Sequence, residues 1–75
     1  MADVTLDAVG LFCPEPVFRV KIAVERMQAG QTIQVSADDP AADDDISRWV
    51  NRSGHQMLEK TTEGDVLTFL IRKVK

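Results

Sequence analysis

One cysteine and one histidine occur among the 75 residues, and this scarcity excludes several classes of function. A lone thiol cannot close a disulfide within the chain. Without a cluster of Cys and His there is no zinc site to expect, and no other metal or cofactor is implied. A thiol–disulfide oxidoreductase fails for lack of a resolving cysteine. An unpaired thiol suits a reducing compartment, so a cytoplasmic setting is expected. The chain has no apolar run long enough for a bilayer, and its first residues lack the basic-then-apolar layout of a signal peptide. Positive charge is also scarce, with 9 Lys and Arg against 12 Asp and Glu for a formal charge of −3. Phosphate recognition wants a basic surface, so direct binding of nucleic acid is not expected and a protein partner is.

What is present reads as an ordinary folded domain. Apolar residues make up 44% and charged residues 28%, and the length predicts one domain over residues 1–75. A chain of this size hides only roughly 60% of the surface its unfolded form exposes, so its core is thin. It cannot enclose a deep substrate cavity. Chemistry is therefore expected at the surface or shared with a partner.

Periodicity gives the elements. Val4 to Val9 alternates as a strand and stops at Gly10. From Pro14 to Gln28, residues Val17, Val20, Ala23, Val24 and Met27 share one helical face, and Gly30 follows. Thr32 to Ala37 alternates again. Asp39 and Pro40 are placed to cap and open a second helix, whose Ala42, Ile46, Trp49, Val50 and Ser53 fall on one side before Gly54. Residues 55–61 and 66–72 read as a hairpin around Glu63-Gly64-Asp65. The order βαβαββ predicts an α+β two-layer sandwich, two helices on one face of a mixed four-stranded sheet. A right-handed crossover makes the first two strands parallel and brings both helix starts to one rim, and with them Cys13 and the segment Asp38 to Asp45.

The turn Cys13-Pro14-Glu15-Pro16 sits where the first strand gives way to the first helix. Cys13 precedes a proline and is expected extended, as the N-cap, with Pro14 in the first helical position; Glu15 also precedes a proline, and the alternative is a regular helix that begins only at Pro16. Both prolines remove amides, leaving the Glu15 N–H as the donor expected to face the sulfur. A thiolate is the nucleophilic form, and a helix start can bring a cysteine pKa down to about 3.5–7.5. Glu15 and the five aspartates Asp38, Asp39, Asp43, Asp44 and Asp45 act in the opposite direction. A moderately reactive cysteine is expected, activated by its partner. The bland alternative is a small buried hydrophobe, the usual state of a free cysteine.

The run from Leu6 to Val17, with Cys-Pro-x-Pro opening the first helix, resembles the TusA (SirA-like) sulfur-carrier family. The similarity continues through Asp38-Asp39-Pro40-Ala41, Asp45-Ile46, Gly54-His55 and Leu70-Ile71-Arg72-Lys73, across essentially the whole chain. The resemblance implies a sulfurtransferase that carries sulfane sulfur as a persulfide on Cys13, its catalytic residue, within the active turn Pro14, Glu15 and Pro16. A cysteine desulfurase or rhodanese-type donor would fill it. An acceptor protein would empty it, in a relay to 2-thiouridine in tRNA or in sulfur oxidation. The alternative is a regulatory or adaptor module with a structural cysteine.

Other residues carry weaker expectations. Asp38 and Asp45 are possible secondary site residues by their place at the Cys13 rim, although capping and solubility also explain them. Phe18 and Ile22 lie one turn apart, opposite the apolar stripe, with Arg19, Lys21 and Arg26 around them. An apolar pair ringed by cations fits partner docking; cover by neighbouring loops is the alternative. His55 and Trp49 are expected to be structural, Trp49 in the core.

Overall fold

The computed structural model describes residues 2–12 and 14–75. Strand β1 (Val4–Ala8) is followed by helix α1 (Glu15–Glu25), strand β2 (Thr32–Ala37), helix α2 (Pro40–Ser53) and the hairpin of β3 (Gln56–Glu63) and β4 (Val66–Arg72). The order is βαβαββ, as periodicity predicts. The sheet runs β1-β2-β4-β3, with β1 and β2 parallel and the other pairs antiparallel.

Alternation along the strands decides which face is covered. Leu6, Val35 and Phe69 form one row of neighbours across the sheet, and Val4, Ile33 and Ile71 form the next. Against these rows pack Val20 and Val24 of α1 and Ala42, Ile46 and Val50 of α2. The opposite face carries Thr5, Asp7, Gln34, Ser36 and Thr68, and can stay wet because side chains alternate with a period of two. At the end where both helices begin, the row is Ala8 and Ala37, each fully buried. Their small side chains leave room for both helix starts.

Helix α2 follows its sequence signals closely. The Asp39 carboxylate accepts from the Ala41 N–H at 3.1 Å, Pro40 opens the first turn, and Gly54 closes the helix in the left-handed region at φ 85°. Helix α1 departs from expectation at both ends. Pro14 is its N-cap and the helix starts at Glu15, between the two starts that the prolines allow, Pro14 and Pro16. It stops at Glu25, where Arg26 and Met27 turn their N–H groups to the carbonyls of Ala23 and Val24. No basic residue stands in its last turn. The Lys73 ammonium supplies that charge from the far end of the chain, donating to the carbonyls of Val24 at 2.7 Å and Met27 at 2.6 Å. Val24 lies in the last turn and Met27 just past the helix, so the ammonium meets the negative end of the α1 dipole.

Candidate functional site

The loop between β1 and α1 is held from both sides. Strand β1 ends one residue early, at Ala8, because Val9 and Gly10 form a turn closed by the Leu11 N–H on the Ala8 carbonyl at 3.3 Å. Gly10 takes φ 87° at the third position of that turn, a conformation other residues avoid. The Asp7 carboxylate accepts from the Val9 N–H at 3.0 Å, and the Asp38 carboxylate from the Gly10 N–H at 2.9 Å. Asp38 stands just past the end of β2, so its bond ties the loop to the neighbouring strand. On the helix side, Pro16 is fully buried and anchors the first turn, while Pro14 and Glu15 are exposed.

Cys13, expected to be the carrier residue, lies outside the described residues. Its neighbours in sequence, Phe12 and Pro14, are both exposed, Phe12 by 77%. The Glu15 N–H donates to the Phe12 carbonyl at 2.8 Å. It closes the turn, and this corrects the expectation that it faces the sulfur. With Pro14 and Pro16 lacking amides, the stretch 14–16 offers no further donor. The Glu15 carboxylate sits 3.6 Å from Arg19, one helical turn on, so its opposing charge is partly offset.

The structure brings most of the proposed site residues to this rim. Asp38 reaches Gly10, and Asp45 lines a groove with Pro14, Val17, Lys21, Arg48, Trp49 and Arg52. Among the remaining aspartates, Asp39 caps α2 and Asp43 pairs with Lys60 of β3 at 2.8 Å. Phe18 and Ile22 are half exposed, at 52% and 50%. Lys21 lies over the Phe18 ring, 5.7 Å from its centre, and Arg19 and Arg26 are exposed. The sequence reading missed Phe12, since an apolar residue in a loop has no periodicity to mark its side. Trp49, expected in the core, packs against it from the margin, and the part left exposed lines the groove.

Asp38 thus ties the loop to the end of β2 through the Gly10 amide. For Asp38→Ala, the Gly10 amide is expected to exchange with solvent roughly tenfold faster, because its one tie to β2 is gone. The stability cost is expected near 1 kcal/mol, below that of a buried charged hydrogen bond because the site is partly solvated. Unchanged exchange at Gly10 would show that the turn holds itself.

His55 lies away from this rim. Its Nδ1 accepts from the Val74 N–H at 3.1 Å, and its ring meets Trp49 at 5.6 Å between centres. Burial, then Lys73 and Lys75, lower its pKa from 6.5. The folded state thus binds the proton less readily than the unfolded chain, and stability falls as pH drops from about 6.5 through the lower folded value. The thermal midpoint is expected to decline over that window in the parent and less in His55→Gln. Equal declines would assign the effect to other groups.

Among the described residues there is no cluster of three metal-ligating side chains, and no helix is long and apolar enough to cross a membrane. The profile of the family described as Sulfurtransferase TusA matches residues 4–73. The chain is 44% identical over 72 residues to "Putative sulfur carrier protein YrkI" of Bacillus subtilis, covering 96% of each chain. It is also 44% identical over 71 residues to a "Putative sulfur carrier protein" of Archaeoglobus fulgidus, covering 93% of this chain and 92% of that one. The crystal structure of a SirA-like protein from Desulfitobacterium hafniense superposes with a TM-score of 0.82 at 28% identity, covering 96% of this chain and 99% of the other.

Proposed function

This chain belongs to the TusA sulfurtransferase family, and on that premise we propose that Cys13 accepts sulfane sulfur as a persulfide and passes it to an acceptor protein. Family membership supports a sulfur-carrier role in general. The observation that carries the finer reading is the loop around position 13. It is tied to β2 through Asp38 and to the core through Pro16, with exposed residues on either side of the cysteine. A loop held at both ends, with Phe12 and Pro14 exposed, suits contact with a second protein at little ordering cost.

The chemistry balances without a cofactor. The Cys13 thiolate attacks the terminal sulfur of a persulfide on the donor; a new S–S bond forms, the donor's S–S bond breaks, and the donor cysteine leaves as a thiolate. The same exchange run onto an acceptor thiol regenerates Cys13. A cysteine desulfurase or a rhodanese-type protein fits as donor. The acceptor lies either in a relay to 2-thiouridine of tRNA or in sulfur oxidation, and the free thiol fits a reducing, cytoplasmic setting. Pro14 and Pro16 stiffen the turn, and Glu15 adds a carboxylate two residues after Cys13 in sequence. Incubation with a cysteine desulfurase and cysteine, followed by intact-mass measurement, tests the reading: the protein is expected to gain one sulfur atom that a reductant removes. A chain that gains none is a regulatory or adaptor module.

A further inference from the structure

The groove between α1 and α2 has a charge that the rest of the chain does not. It measures about 280 Å³ and is lined by Pro14, Val17 and Trp49 together with Lys21, Arg48 and Arg52. Asp45 is the one carboxylate among its described lining residues. Three of the chain's 9 cations thus gather at one groove of a protein whose formal charge is −3. The ion pairs described, Arg19 with Glu15 and Lys60 with Asp43, involve none of the three, and Lys21 lies over the Phe18 ring. Arg52 suits the negative end of the α2 dipole, but Arg48, in mid-helix, gains nothing from it. Arg48 stands one turn after Asp44 and Asp45, but Arg52 stands one turn after Arg48, a like-charge spacing that weakens a helix.

We propose that this groove binds an acidic segment of a partner protein, carboxylates among Lys21, Arg48 and Arg52 and an apolar side chain against Trp49. The proposal rests on the carrier reading in assigning the segment to a protein that exchanges sulfur at Cys13, the residue preceding Pro14 of the groove. A small anion fits less well. Arg48 and Arg52 are exposed, where single ion contacts are screened and weak, whereas a segment adds apolar burial and several charges at once. Contacts of opposite sign would also steer an acidic partner toward a protein that otherwise repels it.

Trp49 is the only tryptophan and reports occupancy by its fluorescence. A short synthetic peptide of alternating glutamate and leucine is expected to change that signal saturably at low salt. Arg48→Glu combined with Arg52→Glu should weaken binding by about tenfold, and Arg48→Gln with Arg52→Gln by less, circular dichroism confirming that both fold. A glutamine–leucine peptide and sodium sulfate at equal concentration are expected to leave the signal unchanged. Equal response to the glutamine peptide, equal response to sulfate, or unaltered affinity in the glutamate variant would each overturn the proposal. Sulfur uptake by the parent, read separately by mass, keeps the two readings apart. Uptake without peptide binding rejects the groove alone; peptide binding without uptake rejects the carrier.

Discussion

Cys13→Ser is expected to fold like the parent and to carry no sulfur. Serine replaces one small side chain by another, and the N-cap of α1 is Pro14, which takes no side-chain hydrogen bond from a neighbour. The turn is secured elsewhere, by the Glu15 N–H on the Phe12 carbonyl, by the Asp38 tie and by buried Pro16. The stability change is therefore expected to stay within about 0.5 kcal/mol, since none of these ties uses the Cys13 side chain. Transfer is different in kind. A hydroxyl at this position remains protonated near neutral pH and cannot form the S–S bond on which the exchange depends. Since the chain has no other cysteine, nothing can substitute. After incubation with a desulfurase and cysteine, intact mass should show one added sulfur on the parent and none on the variant. Sulfur recovered on Cys13→Ser would end the carrier reading, whatever the family resemblance.

The parts of this fold legible from sequence are those fixed by local chemistry. Asp39, Pro40 and Gly54 bound α2 as read, because capping and a left-handed stop involve only neighbours in the chain. The turn at Gly64-Asp65 set the hairpin for the same reason, although β3 runs two residues beyond its expected end. Strand order was not read, yet it has a signal in composition. β4, Val-Leu-Thr-Phe-Leu-Ile-Arg, supplies fully buried Phe69 and Ile71 and lies inside the sheet. β3, Gln-Met-Leu-Glu-Lys-Thr-Thr-Glu, is mostly exposed, interrupted by an irregularity at Leu58, and takes the edge.

The site was legible in part. Both helix starts share a rim because a right-handed crossover requires it, and this brings Asp38 to the Gly10 amide and Asp45 to Pro14. What the sequence concealed depends on how α1 and α2 lie against each other. Lys21 meets Arg48 and Arg52 only across that helix pair, and Trp49 sits on the apolar stripe of α2 yet reaches its margin. A periodic pattern identifies a stripe; it does not say where cover by the neighbouring helix ends. The aim of the Glu15 N–H was misread for a related reason. Counting free amides leaves out the carbonyl of Phe12, which the turn brings within 2.8 Å.

Replacing Phe12 by Ser with Phe18 and Ile22 by Gln is expected to slow transfer from a protein donor while leaving the fold intact. The three residues bracket the Cys13 turn, Phe12 immediately before it and Phe18 and Ile22 along the exposed side of α1. Large apolar side chains left in water near a transfer residue fit a contact that is buried only in the complex. Lys21 over the Phe18 ring and Arg19 beside it supply the cations that accompany such anchors. The loss of one aromatic anchor at an interface costs roughly 2 kcal/mol, about thirtyfold in affinity. Transfer at sub-saturating donor is expected to fall by at least that factor and to recover partly at high donor concentration. Stability gives the contrasting measurement. Phe18 and Ile22 keep about half of their surface in water, so each replacement should cost about 1 kcal/mol or less. Phe69→Ala, at a site with no exposure, provides the core reference at about 3–5 kcal/mol. A triple variant that unfolds as readily as Phe69→Ala, with transfer per folded molecule unchanged, would assign these side chains to the core and reject docking. A triple variant that keeps its unfolding midpoint and loses transfer from the protein donor, yet still takes sulfur from inorganic polysulfide, would separate docking from the chemistry at Cys13.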